Sequence, residues 1–185
     1  MSELLPETMT KHLPVRLQKK PARRLKASEA RWIKAVPQSS GHGSGTLQKR
    51  LWRLTSDYVR LRDWHKYGKR CVATGTLIER WQDGNAGHYL SYSVCRGMYK
   101  FYEGNIHLQS ASSNSWGGMD IGYSFGEELK RRGIDPDVLR KDNFRTELKI
   151  NDSMVIEKMK EILSKMKDLP EKPEYYARVI SLLES

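Results

Sequence analysis

Two short runs decide how this chain reads: Asn85-Ala86-Gly87-His88-Tyr89 and, about one hairpin later, Asn105-Ile106-His107-Leu108-Gln109-Ser110-Ala111-Ser112-Ser113-Asn114. The first sets a histidine directly after a glycine, downstream of the turn pair Asp83-Gly84. The second opens on an asparagine just past another turn, Glu103-Gly104, and closes on an asparagine at the mouth of a helix. A histidine followed by two asparagines offers a proton acceptor and amide oxygen donors, residue types that phosphodiester cleavage can use. Such chemistry needs a base to activate water, a cation to stabilise charge on the phosphate, and a fixed geometry between them.

Each residue type has a matching role. His88 is the candidate general base, since imidazole accepts a proton near neutral pH, and Gly87 lets phosphate and backbone come close. Asn105 sits where its amide braces the loop that presents His88. Asn114 offers a carbonyl oxygen to a divalent ion at a helix start. Mg2+ (or Mn2+) suits so sparse a site because it keeps most of its waters. His107 reads in two ways, as a second metal ligand or phosphate contact and as a strand-end residue packed beside the fold. Arg96 and Lys100, across the loop from His88, are candidates for phosphate contacts.

Upstream, a helix is expected from Leu47 to about Tyr67, with Leu51, Leu54, Tyr58 and Leu61 at helical spacing and Gly68 ending it. Arg50, Arg53, Arg60 and Arg62 then point outward, which makes Arg60 and Arg62 DNA-binding candidates. Short strands are expected around 70–73, 77–81, 87–91 and 98–102. Downstream, a helix starts near Ser110–Asn114, breaks at Gly117-Gly118 and resumes over Ser124–Arg132. Asp135-Pro136 initiates another. Val155, Met159, Ile162, Leu163 and Met166 mark an amphipathic helix, and Glu174–Leu183 a last one.

Composition bounds the class. A chain of 185 residues holds one domain of ordinary size plus extensions. Its net charge of +11 favours an anionic partner, most commonly nucleic acid. No apolar run approaches a membrane span. Two cysteines, Cys71 and Cys95, make no disulfide framework, which points to a reducing cytoplasm. Residues 1–46 are rich in proline, lysine and arginine and end in Ser39-Ser40-Gly41-His42-Gly43-Ser44-Gly45. They read as a flexible basic arm and linker, with at most a short helix around Ser28–Val36. Lys19, Lys20, Arg23 and Arg24 there are suited to lie along phosphates. The expected division is therefore 1–46, 47–133 and 134–185.

A longer series of residues surrounds the centre: Trp52, Arg60-Leu61-Arg62-Asp63, Cys71-Val72-Ala73-Thr74-Gly75, Trp81, Ala86-Gly87-His88-Tyr89, Lys100-Phe101, Asn105-Ile106-His107-Leu108-Gln109, Ser110-Ala111-Ser112-Ser113-Asn114 and Tyr123…Leu129…Gly133. In unbroken order they resemble the phage NinG (Rap) recombination proteins, part of the HNH, or ββα-metal, group. The resemblance covers roughly 47–133. It implies an α+β fold with a ββα-metal (HNH-like) core flanked by helices, an α-rich C-terminus and a flexible basic N-terminal arm. It further implies a DNA endonuclease or Holliday-junction-resolvase-like enzyme of phage recombination. Its partner would be branched or structured DNA in the host cytoplasm, and a homodimer is plausible, with the last two helices as the natural contact. His88 carries over as general base, Asn105 as the middle residue and Asn114 as metal ligand.

The departures are equally specific. Where the family pattern has two Cys-x-x-Cys pairs around one structural zinc, this chain has Cys71, Thr74, Ser110 and Ser113. Aliphatic hydroxyls do not ionise near neutral pH and bind zinc poorly, so no structural zinc is expected. The hydroxyls are left to bond one another or to cap backbone N–H groups. The stabilisation lost with such a zinc reaches about 10 kcal/mol in small zinc domains, and packing has to replace it. Asn85 stands where some relatives carry aspartate, which weakens cation binding. The alternative to a nuclease is a DNA-binding protein that keeps the HNH-like fold without catalysis.

Overall fold

The computed structural model describes residues 25–115 and 119–185, so Lys19, Lys20, Arg23 and Arg24 lie outside the described residues. The elements run α1 (Ala27–Ala35), α2 (Thr46–Lys66), β1 (Asn85–His88), β2 (Ile106–Gln109), α3 (Ala111–Ser115), α4 (Met119–Arg131), α5 (Pro136–Arg145), α6 (Asp152–Lys167) and α7 (Tyr176–Glu184). Among the described residues, seven helices thus accompany one two-stranded antiparallel sheet, an α+β arrangement.

The long helix α2 forms where the leucine spacing predicts it. Leu51, Leu54, Val59 and Leu61 are fully buried, each contributing about 2 kcal/mol relative to exposure. Gly68, at φ 70°, lets the chain turn away beyond it. Helix α6 lies against α2 and buries Val155, Ile156, Met159, Ile162, Leu163 and Met166. Its start is set by Asn151, whose Oδ1 accepts from Met154 N–H at 3.0 Å.

Helix α1 packs on α7, and Trp32, Ile33, Val36, Tyr176 and Val179 belong to the same core as α2 and α6. Residues on either side of 46 and of 133 thus share one hydrophobic cluster. The second half of the expected arm is helix and core, and the apolar faces of the last two helices are spent inside the chain. A smaller cluster, including Cys71, Val72, Ile78, Leu108, Phe125 and Leu129, closes the other end.

The sheet is smaller than the sequence predicts. Arg70 and Leu77 share only an isolated bridge, and residues 97–101 form a 3-10 turn. That turn buries Gly97, Tyr99 and Phe101 in alternation, which is why the segment reads as a strand. Its N–H groups bond locally instead, Tyr99 to the Arg96 carbonyl at 2.9 Å and Tyr102 to the Tyr99 carbonyl at 3.1 Å. In β1–β2 the pairs are Asn85↔Gln109, Ala86↔Leu108, Gly87↔His107 and His88↔Ile106. Strand alternation puts Asn85, Gly87, His107 and Gln109 on one face and Ala86, His88, Ile106 and Leu108 on the other. No helix among the described residues is long and apolar enough to cross a membrane.

Candidate active site

The loop after His88 returns to β2 through Asn105, which is fully buried. Its Oδ1 accepts from Leu90 N–H at 2.8 Å, and its Nδ2 donates to the Leu90 carbonyl at 3.0 Å and to Cys95 Sγ at 3.3 Å. Tyr89 N–H adds a bond to the Asn105 carbonyl at 2.9 Å. One amide thus satisfies both backbone groups of Leu90, two residues beyond His88, and fixes the loop there.

His88 itself is pinned by Nε2, which lies 2.9 Å from the Lys100 carbonyl. A carbonyl only accepts, so Nε2 carries the hydrogen and the ring's basic lone pair sits on Nδ1. The Trp52 indole lies parallel to the ring at 5.1 Å, and His42 and Tyr92 meet its edge at 5.4 and 5.7 Å. Burial among these rings holds the His88 pKa down to about 4, with the Lys100 carbonyl opposing and His42 adding to the depression. At neutral pH the ring is uncharged, as a base must be. Lys100 supplies the nearby cation, its Nζ sitting 4.7 Å from the centre of the Tyr92 ring.

Asn114 lies beyond the neighbouring residue, over Gly87. A Cβ added at Gly87 would come 2.8 Å from Asn114 Oδ1 and 1.5 Å from Gln109 Oε1. Two amide oxygens therefore converge where Gly87 has no side chain, and no other residue fits that position. Strand alternation directs the His88 side chain to the opposite face, so the base and the candidate ligand stand on the two sides of β1.

His107 faces Asp63 and Gly104 instead. Its Nδ1 lies 3.0 Å from Asp63 Oδ2 and its Nε2 3.1 Å from the Gly104 carbonyl. Both nitrogens thus have partners within the protein, with Arg62 Nη2 a further neighbour 3.4 Å from Nδ1. Asp63, fully buried, also accepts from Arg62 Nε at 2.7 Å, Leu108 N–H at 3.0 Å and Arg132 at 3.3 Å. Burial alone would raise its pKa, but Arg62 and then His107 hold the carboxyl well below the usual range.

The same network corrects the outward arginines. Arg62 donates to the Glu103 and Ile106 carbonyls at 2.9 and 3.1 Å. Arg60 pairs with buried Asp57, lies 5.0 Å over the Trp81 ring and reaches the Gln82 and Gly84 carbonyls at 3.3 and 3.2 Å. Both hold α2 to the strand region rather than presenting charge to phosphate. Arg96 is tied to the Phe144 carbonyl.

Of the four positions that stand in place of the family pattern's cysteines, a knuckle-like turn, three meet directly. Cys71 Sγ lies 3.2 Å from Ser113 Oγ, and Ser110 Oγ lies 3.1 Å from Ser113 Oγ. Ser110 Oγ also accepts from Ser113 N–H at 3.3 Å, capping the start of α3. Thr74 bonds Thr76 Oγ1 at 2.9 Å and joins the thiol's surroundings. Burial disfavours the Cys71 thiolate, but hydrogen bonds from Ser113 and Thr74 outweigh it and bring the thiol down to about 7. Val72 N–H bonds the Leu108 carbonyl at 2.9 Å, so the knuckle's first arm is stitched to β2.

Sequence reasoning missed His42, Tyr92, Gln109 and Asp63 as members of this region. A histidine bracketed by glycines, Gly41-His42-Gly43, is the one signal that marked the first of them.

A family model described as Bacteriophage Lambda NinG protein matches residues 7–172. No curated protein and no solved structure matches the chain.

Proposed function

The chain belongs to the bacteriophage lambda NinG family, and on that premise we propose that it is a metal-dependent DNA endonuclease of the HNH group that cuts branched or structured DNA, with a knuckle that has exchanged its zinc for hydroxyls. The observation that carries this reading is the tautomer of His88. Its Nε2–H is spent on the Lys100 carbonyl at 2.9 Å, and its Nδ1 lone pair belongs to a neutral ring. Water gives its proton to Nδ1 as its oxygen attacks phosphorus. The new P–O bond replaces the bond to the leaving sugar oxygen, which takes a proton from solvent. Lys100 stands beside the ring to face phosphate charge, and Asn105 keeps the loop from moving as charge develops.

Asn114, with Gln109 next to it, would hold a Mg2+ or Mn2+ ion. Amide oxygens are the hard, neutral donors such an ion accepts when it keeps most of its waters. Bound there, the ion supplies charge stabilisation at the phosphate.

A second reading, a DNA-binding protein that no longer cuts, is favoured by one observation: His88 and Asn114 stand on opposite faces of β1. The deciding experiment incubates the protein with a four-way junction, a nicked duplex and a linear duplex, with Mg2+ or Mn2+ and then with chelator, beside His88→Ala. Metal-dependent cutting of the junction, lost in His88→Ala, is expected. Equal binding with no cutting by either protein selects the second reading. Elemental analysis of the same sample is expected to find no zinc.

A further inference from the structure

The Gly-Ser run between α1 and α2 is fastened along its length. Ser39 N–H donates to the Lys49 carbonyl at 3.4 Å, and the Ser44 N–H and hydroxyl reach Gln48 Oε1 at 3.3 and 3.1 Å. Arg50 holds the preceding turn through the Lys34 carbonyl at 3.0 Å and the Val36 carbonyl. Two glycines let the segment lie flat. A Cβ at Gly43, where φ is 118°, would sit 2.8 Å from Lys49 N, and one at Gly41 would press on Trp52 Nε1 at 3.2 Å. The Tyr92 hydroxyl hydrogen-bonds the Gly43 backbone.

What the fastened run delivers is the His42 ring. It stacks on Tyr92 at 4.0 Å with 8° between planes, and meets Trp52 at 4.7 Å and His88 at 5.4 Å edge to face. Three rings from three segments thus enclose one imidazole, that of His88: His42 from the run, Trp52 from α2 and Tyr92 from the loop after β1. Aromatic pairs at such separations stabilise beyond the area they bury, which opposes the looseness that glycine would otherwise confer on a short segment.

We propose that residues 39–45 form a strap whose purpose is to seat His42 as a positioning residue, closing the aromatic cage that holds the His88 imidazole in one orientation and a single tautomer. The assignment of His88 as a base rests on the nuclease reading; the cage stands without it. His42 acts through His88 and touches no substrate in this role. Among the described residues, the titratable side chains meeting the His88 ring are His42 from the strap and Tyr92 from the loop; Lys100 offers the ring its carbonyl and sets its Nζ over Tyr92, and α2 contributes the uncharged Trp52.

The test is an NMR titration of the His88 imidazole in the full chain, for the natural protein, His42→Ala and His42→Phe. With the cage intact the ring is expected to titrate far below an ordinary histidine. In His42→Ala the midpoint is expected to climb by more than one pH unit toward the ordinary value of about 6.5, and in His42→Phe, which restores a flat ring, to fall back. In the junction-cutting assay the acid limb of the rate profile moves with it. An unchanged His88 titration in His42→Ala overturns the proposal whether or not the protein cuts DNA. A moved titration in a protein that never cuts supports the cage and defeats only the nuclease reading. Should His42→Ala fail to fold, ring-to-ring NOEs between His42 and His88 in the natural protein decide: their presence supports the strap and their absence sinks it.

Discussion

Two histidines stand on the two strands of one small sheet, and their neighbours give them opposite characters. His107 is surrounded by charge: a buried carboxylate on one nitrogen, a carbonyl on the other, and Arg62 and Arg132 on the same carboxylate. His88 is surrounded by rings, with a single carbonyl on Nε2. The first has every hydrogen-bonding site committed, so it can only hold the structure together. The second has one nitrogen bound to a carbonyl and is kept neutral by burial, the state in which the proposed base would work. Residue type alone does not separate these roles; the acceptors around the ring do.

The largest effect should come from breaking the charged side. Asp63→Asn removes the charge shared by Arg62, Arg132 and His107 and leaves cations buried without a counter-charge. A loss of about 3–5 kcal/mol is expected, read as a fall in the urea unfolding midpoint. His88→Gln, which removes a ring that burial already keeps uncharged, should cost far less than that. Equal losses would erase the distinction between the two sites.

Acid separates them next, in two steps. The folded pKa of His88, about 4, lies below its unfolded value of 6.5. As pH falls from 6.5 to 4 the unfolded chain takes up a proton that the folded chain refuses. Stability should therefore drop by about 3 kcal/mol over that window, and His88→Gln should flatten the slope. The Asp63 carboxyl is depressed, so its contribution is present above the unfolded value of 3.8 and is lost only as pH falls below it. Unfolding midpoints at pH 7, 5 and 3 for the two variants resolve the steps. A single acid transition insensitive to His88→Gln would contradict the caged ring.

Much of this was legible in the sequence, and what was not has a physical cause. The leucine spacing of α2 and the amphipathic face of α6 follow from local rules that one segment obeys by itself. The hydrogen bonding among Cys71, Ser110 and Ser113 also follows from residue type. The arginines of α2 misled because helical spacing says which side a residue leaves from, not what it meets. Arg60 and Arg62 turn back to Asp57, Asp63 and strand-region carbonyls that lie far along the chain. The strand expected at residues 98–102 shows buried alternation but has no strand beside it among the described residues, and pairing is a property of two segments. His42 was hidden by its own surroundings: glycine and serine signal looseness, yet here glycine is what allows the close approach to Trp52 and Lys49.

The smallest effect is a null, and it tests the comparison where function depends on it. If the two nitrogens of His107 are both spent on oxygen acceptors, removing the ring removes no ligand. His107→Gln should then leave Mn2+ affinity within about twofold of the natural protein, measured by electron paramagnetic resonance at a temperature where both are folded. Asn114→Ala should weaken it by about tenfold or more, in the range that loss of a metal-site partner produces, because Asn114 Oδ1 is one of the two amide oxygens gathered over Gly87. Gln109→Glu sharpens the contrast in the other direction. It sets a carboxylate on the same face of β2 as His107, two residues along, and should tighten the ion where the native amide offers only a dipole. Affinity that followed His107 instead would mean that the ring gives up Asp63 or Gly104 to reach the metal, and the two histidines would no longer be opposites.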